Sequence, residues 1–262
     1  MSALVAEDAM ALLRAANAPE RVLAQARGLS DGLELTEAVI EGRTVTFATN
    51  MERDPIQRRH RKGQFFEPEE LALLSRYLPK GGTFVDIGAN VGNHTLYAGL
   101  FLGAGRIIPF EPNPLAYRLL LINVALNGLS DRVVFDHIGA GAADVPDEGF
   151  AMTERQKNLG AARMVAGEGD IPTVRPDEVL REEVPDVIKI DVEGMEMHVL
   201  RGLQKTIRRC RPVLLVECDR ENIHDFADWR LANAFEIPAS FKHYKENRNF
   251  LLVPEERMEE FA

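Results

Sequence analysis

From residue 84 onward the chain alternates short apolar runs with stretches of helical spacing, the pattern of a parallel sheet wrapped by helices. The runs predict strands at Thr83–Ile87, Arg106–Phe110, Arg132–His137, Asp186–Ile190 and Pro212–Val216, with helices filling the gaps. Phe235–Phe241 and Phe250–Pro254 fit an antiparallel pair at one sheet edge. Ahead of this pattern, Leu4–Leu29 places Ala, Leu and Val at helical spacing, and Leu33–Thr49 alternates around the turn Glu41-Gly42-Arg43 as a hairpin would. A helix is expected from Phe65-Phe66-Glu67-Pro68 to Leu78, stopped by Pro79-Lys80-Gly81-Gly82. The chain therefore divides into a helix-and-hairpin cap, residues 1–80, and an α/β domain, residues 81–262. The interval Gly139–Pro185 shows little periodicity and exceeds an ordinary connection. It reads either as a substrate loop or lid, or as a hairpin with a short helix.

A length of 262 residues with 45% hydrophobic and 27% charged positions is enough for a full core and argues against disorder. The net charge of −10 argues against broad binding to nucleic acid or to an anionic membrane. A local basic stretch, Arg53 to Lys62, stands out against it and is either a solvated face or an attractor for an anionic acceptor. Cys210 and Cys218 belong to no metal or disulfide pattern. The first residues carry acids and no long apolar core, so neither a signal peptide nor a membrane span is expected, and a cytoplasmic location follows.

Candidate chemistry gathers where apolar runs end. Phe84-Val85-Asp86-Ile87-Gly88-Ala89-Asn90-Val91-Gly92-Asn93 closes a strand in an acid-plus-glycine turn and opens a helix, a seat for a nucleoside. Gly88 is expected to let a ligand lie against the backbone, Gly92 to let the following helix approach the strand, and Asp86 to accept from a ligand ammonium group. Glu111 ends the next strand, beside Asp86 in a right-handed βαβ unit, where an acid can accept both ribose hydroxyls. NAD prefers Gly-x-Gly-x-x-Gly around its pyrophosphate. Here one glycine is missing and an acid is added, which suits S-adenosylmethionine.

A second cluster is Ile188-Lys189-Ile190-Asp191-Val192-Glu193-Gly194. Ligands of open α/β sheets collect at the carboxyl ends of strands, so Asp86, Glu111, Asp191 and Glu217 should converge on one rim. Asp191 is the first candidate for a base that takes an acceptor's proton, and Glu193 the next; Glu193 is equally readable as a helix cap. Lys189 shares a strand face with Asp191 and forms either a structural or a catalytic pair with it. His198 reads as a surface histidine, while His94 and His137 sit beside the cofactor turn. Asp191 and Glu217 have oxygens suited to a hard cation, but no tight Asp-Asp or His-x-Asp cluster accompanies them, and no metal is expected.

With these residues, the chain resembles the FkbM family of S-adenosylmethionine-dependent methyltransferases over roughly Asp54 to Pro254. The resemblance is carried by the glycine turn, by Phe110-Glu111-Pro112-Asn113-Pro114, by Ile188-Lys189-Ile190-Asp191-Val192-Glu193-Gly194 and by Arg211-Pro212-Val213-Leu214-Leu215-Val216-Glu217. It implies a Rossmann-like, seven-stranded, mostly parallel sheet with a reversed last strand and helices on both faces. It also implies adenosylmethionine at Asp86, Gly88, Asn90, Asn93, Glu111, Pro112 and Asp191, with Glu67 near the methionine end and Asp136 and His137 on the adenine side. The commonest reaction it implies is O-methylation of a sugar, glycan or secondary metabolite. Methyl transfer to nitrogen, carbon or a macromolecule is the alternative, although the Asp/Asn-Pro-Pro-aromatic element common with nitrogen acceptors is replaced by Asp191-Val192-Glu193-Gly194. A nucleoside- or NAD-binding protein without catalysis is the third reading. The first 50 residues carry no part of this signature, and oligomeric state is left open.

Overall fold

The computed structural model describes residues 32–153, 158–167, 169–241 and 247–261, together with Met10, Ala11, Arg14, Glu20 and Leu23. Most of the helix expected over Leu4–Leu29 lies outside the described residues; Met10 and Leu23 are buried in the main core. The hairpin is β1 (Glu34–Ile40) and β2 (Arg43–Thr49), followed by short helices α1 (Pro55–His60) and α2 (Pro68–Leu74). Both helices begin with proline at the first turn, where the missing N–H costs nothing. Strand β3 (Thr83–Ile87) then leads into α3 (Asn93–Tyr97), β4 (Arg106–Phe110) and α4 (Pro114–Leu126).

The described residues of 139–185 form a second, small sheet, with the antiparallel pair and the short helix of the second reading. It comprises β5 (Gly141–Ala142), β6 (Asp147–Met152), β7 (Met164–Ala166) and β8 (Ile171–Val174), in the order β5-β8-β6-β7, and ends in the turn-long helix α5 (Pro176–Val179). The main sheet resumes with β9 (Val187–Ile190), the helices α6 (Glu196–Gly202) and α7 (Gln204–Cys210), and β10 (Val213–Asp219). The chain closes with α8 (Ile223–Ala232), β11 (Phe235–Phe241) and β12 (Asn247–Pro254).

The main sheet runs β11-β12-β10-β9-β3-β4, with β3, β4, β9 and β10 parallel and β12 antiparallel to both of its neighbours. This is a Rossmann-like α/β sheet with a reversed last strand. Its parallel strands are apolar on both faces because helices cover both. Register places Asp86 directly between Pro109 and Lys189.

Among the described residues this sheet has six strands, not the seven expected. The stretch predicted as a strand at Arg132–His137 lies beside β4 but joins it only through isolated bridges, Ile107 to Val133 and Glu111 to Ile138. Pro109 explains the gap. Ile107 donates its N–H outward to the Arg132 carbonyl at 2.8 Å, and residue 109, two positions on, faces the same way without an N–H to give.

The hairpin is fastened by Asn123 of α4 and Asn127 at its C-terminal cap. Asn123 Oδ1 accepts from the Ala48 N–H at 2.7 Å and its Nδ2 donates to the Val91 carbonyl at 2.8 Å; Asn127 Oδ1 accepts from the Thr46 N–H at 3.0 Å and its Nδ2 donates to the Thr46 carbonyl at 2.7 Å. The free edge of β2 is thereby satisfied, and the same helix reaches the cofactor turn. No described helix is long and apolar enough to cross a membrane. Both cysteines are free.

Candidate active site

The turn after β3 is built around glycines that neighbouring backbone requires. Gly88 has φ +80°, and a Cβ there would lie 1.8 Å from the Asp191 carbonyl oxygen. The side a Cβ would occupy is thus filled by the residue that follows β9, while Gly88 still lines the slot described below. Gly92, at φ +90°, makes room for Leu120 of α4 rather than for β3, since a Cβ would meet Leu120 Cδ1 at 2.7 Å. The N–H groups of Gly88 and Ala89 both donate to the Phe110 carbonyl, and that of Asn90 donates to Glu111 Oε2 at 2.7 Å. A pyrophosphate would find none of these three amides free, in keeping with a phosphate-free cofactor.

Glu111 is 6% exposed and is pinned further by the Asn113 N–H, 2.8 Å from Oε1. Burial pushes its carboxyl up to about 7, against the lowering pull of those two N–H bonds. It lines a narrow slot with Gly88, Asn90 and Pro112, closed from above by Leu159 and Met164 of the segment around the small sheet. A larger cavity of about 680 Å³ adjoins it, and Asn90, Gly160, Asp191 and Glu193 line both. That volume holds a drug-sized ligand. Glu67, Asn90 and Glu193 line this cavity with φ of 55°, 51° and 47°, in the left-handed region that non-glycine residues rarely adopt. Such strain collects at functional sites.

Lys189 organises the floor. Its Nζ donates to the Gly88 carbonyl at 2.8 Å and lies 3.2 Å from Asp191 Oδ2 and 3.4 Å from Asp86 Oδ1. Burial pulls its pKa down, but Asp191 and Asp86, with Glu67 behind them, outweigh that and hold the ammonium well above its ordinary range. Asp86 is fully buried, accepts from the Thr95 hydroxyl at 2.7 Å and lines neither cavity. The expectation that it meets the ligand's ammonium is corrected: its partners are Lys189 and Thr95.

Asp191, Glu193 and Glu217 crowd the rim, with a carboxylate oxygen of each within 4.8 Å of the others. Burial raises Asp191, but Lys189 and a hydrogen bond from Glu217 overcome it and keep Asp191 ionised. Burial, then the Asp191 charge, pushes Glu217 up to about 10, so it is a neutral acid donating to Asp191 and accepting from Asn247 Nδ2 at 2.7 Å. Burial and the charges of Asp191 and Asp219 push Glu193 up to about 8. Its left-handed backbone places it ahead of α6 rather than as that helix's cap, which is Met195.

The other predicted residues divide. Asn93 lines the larger cavity, but its amide is committed to the Phe66 backbone, with N–H to Oδ1 at 2.9 Å and Nδ2 to the carbonyl at 3.0 Å, and to His60 Nε2 at 3.1 Å. Asn93 therefore holds the segment that presents Glu67. Asp136 is exposed, His137 stacks on Phe110 at 5.2 Å, and neither lines a cavity. His198 pairs with Asp144 at 2.7 Å on the surface. Of the basic stretch, Arg58 and Arg59 are exposed, Arg61 pairs with Glu34, and none of the three lines either cavity. Sequence reasoning missed Asp54, whose carboxylate caps α1 through Gln57 and accepts from the Leu159 N–H at 2.9 Å, tying the roof to the wall. It also missed Glu70 and gave His94 no partner; a ligand atom of each lies within 4.8 Å of Glu67's. The spacing of Glu67 and Glu70 at i and i+3 was the available signal.

Comparison with known proteins identifies relatives of the chain. The chain is 31% identical over 162 residues to methyltransferase sdnD of Sordaria araneosa, covering 49% of this chain and 62% of that one. It is 27% identical over 156 residues to hexuronic acid methyltransferase AglP of Haloferax volcanii, covering 57% and 61%. These matches span less than two thirds of the relatives' own lengths. A crystal structure of methyltransferase FkbM from Methylobacillus flagellatus KT superposes with a TM-score of 0.46 at 19% identity, over 65% of this chain and 43% of that one. The methyltransferase FkbM domain model matches residues 86–244, more than half of the chain, and the protein belongs to that family of S-adenosylmethionine-dependent methyltransferases.

Proposed function

We propose that the chain transfers the methyl group of S-adenosylmethionine to a hydroxyl of a sugar, glycan or secondary metabolite. The observation that carries this reading is the position of Glu193, whose residue lines both the slot at Gly88 and Glu111 and the 680 Å³ cavity beside it. A cofactor bound along the slot supplies an electrophilic methyl group. Glu111 accepts from the ribose hydroxyls there, and Asp86, through Lys189, holds the turn that frames it. In the larger cavity Glu193 would take the acceptor's proton as the O–C bond forms, the S–CH3 bond breaking and S-adenosylhomocysteine leaving. A carboxyl near 8 is matched to that task, whereas Asp191, stabilised as an anion by Lys189 and Glu217, is a weak base and orients the acceptor instead.

The lining also bears on the acceptor. Glu67, Asp191, Glu193 and Glu217 face the cavity, while Lys189 is tied to the turn and Arg163 to Asp219 at 2.6 Å. Such a wall favours a neutral hydroxyl compound over an anionic one. The name of the Haloferax relative, a hexuronic acid methyltransferase, supports the sugar class but belongs to an acidic sugar, unlike the neutral acceptor this wall favours. Incubation with methyl-tritiated cofactor and a panel of neutral glycosides and polyols tests this. Label in an alkali-stable ether is the expected product; label in an alkali-labile ester or an amine would overturn it, and tight uptake of S-adenosylhomocysteine without any transfer would favour a binding protein.

A further inference from the structure

We infer that Glu67, Glu70 and His94 form a binding site for a divalent first-row transition-metal ion, such as Mn²⁺ or Zn²⁺, in the wall of the larger cavity. One ring nitrogen of His94 and one carboxylate oxygen from each glutamate lie within 4.8 Å of one another. Small side-chain rotations bring such a triad to bonding distance of a central ion, about 2.0–2.2 Å. His94 is 5% exposed and lines the cavity, and its Nε2 is buried without a hydrogen-bond partner. Buried polar atoms are ordinarily paired, so an orphaned nitrogen on an imidazole that meets two glutamates points to an ion.

The surroundings fit the same reading. The Lys189 ammonium donates to the Gly88 carbonyl and is ion-paired with Asp191 and Asp86. This cation is therefore directed at the cofactor turn. Glu70, 1% exposed, is oriented by Asn249, whose Nδ2 lies 3.0 and 2.9 Å from its two oxygens, as an outer-shell partner orients a metal ligand. The α2 backbone turns at Glu67 with φ 55°, held by the Asn93 clamp on Phe66, and so presents Glu67 and Glu70 together. One imidazole with two carboxylates favours a borderline transition ion over Mg²⁺ or Ca²⁺, which prefer oxygen alone.

Metal binding by itself, with no cofactor or acceptor present, tests the site apart from the proposed reaction. Tag-free protein stripped with chelator and dialysed against Mn²⁺ should retain one ion per chain, and pulsed electron paramagnetic resonance of that ion should show nitrogen coupling from an imidazole. His94→Ala should abolish retention, and Asn249→Ala should weaken it by roughly 10–100-fold, with circular dichroism confirming that both variants fold. Should the variants not fold, the nitrogen coupling in the unaltered chain still decides. No retention by the unaltered chain, an ion without nitrogen coupling, or retention that survives His94→Ala and vanishes in Glu217→Gln would overturn the inference, the last by moving the ion to the Asp191 rim.

Discussion

At the scale of single residues, neighbouring carboxyls here hold different protonation states because their environments differ. Lys189 and the neutral Glu217 stabilise charge on Asp191, while Glu193, with Asp191 and Asp219 for neighbours, is pushed up to about 8. If Glu193 is the base, kcat should rise as pH increases through about 8, because only its ionised form accepts a proton. Glu193→Gln should lower kcat by about 10²–10⁴-fold, remove that rising limb and leave S-adenosylhomocysteine affinity unchanged in calorimetry. A limb that persists in Glu193→Gln and disappears in Asp191→Asn would return the role to Asp191. Gly88 permits a different test. With φ +80° and the Asp191 carbonyl 1.8 Å from its virtual Cβ, Gly88→Ala must displace the backbone of β9 or of the turn. Denaturant titration should show a loss of about 1–3 kcal/mol, as overpacking usually costs, together with loss of cofactor binding. A variant with unchanged midpoint and affinity would mean that the turn is not held where it is by β9.

At the scale of elements, α4 couples the hairpin to the cofactor turn through Asn123, which bonds Ala48 on one side and Val91 on the other. Asn123→Ala leaves a buried N–H and a buried carbonyl without that partner, so unfolding free energy should drop by roughly 1–3 kcal/mol, and S-adenosylhomocysteine should bind more weakly. Weaker folding with intact binding would confine Asn123 to fastening the hairpin. Such cross-links also mark what the sequence could and could not convey. Strands ending in Asp86, Glu111 and Asp191 were legible because apolar runs and the carboxyl-end rule are local signals. The small sheet of residues 139–185 was not, because strands as short as Gly141–Ala142 carry no period. Pro109 did announce that its outer ladder would fail, but only knowledge of which way residue 107 points turns that into a missing strand. The site shows the same division: Lys189 was legible as a partner of Asp191, whereas its reach to Gly88, and the meeting of His94 with Glu67 and Glu70, arise from packing between separate elements.

At the scale of the whole molecule, a chain of net charge −10 buries several acids along one rim, and this makes stability depend on pH in a definite direction. Burial holds Glu111 at about 7, Glu193 at about 8 and Glu217 at about 10, all above the 4.5 of an unhindered glutamate. Between 4.5 and those values the folded chain binds more protons than the unfolded one, so each group's contribution is complete below 4.5 and is lost as pH rises through its folded value. His60 and His94 act oppositely: burial lowers both to about 4 from 6.5, and their effect is complete above 6.5 and lost as pH falls. The two sets oppose each other below 6.5, and above it the glutamates still change, joined above about 9 by Cys210 and Cys218, which burial raises and which act in the same direction. Thermal melts of the chelator-treated, cofactor-free protein should therefore show Tm falling steadily from pH 6.5 to 10. Glu217→Gln, which keeps the shape and removes the titration, should flatten the upper part of that decline. A Tm that holds level or climbs over this range would mean that the rim carboxyls are ionised in the folded chain, and with that the assignment of Glu217 as a proton donor to Asp191 would fail.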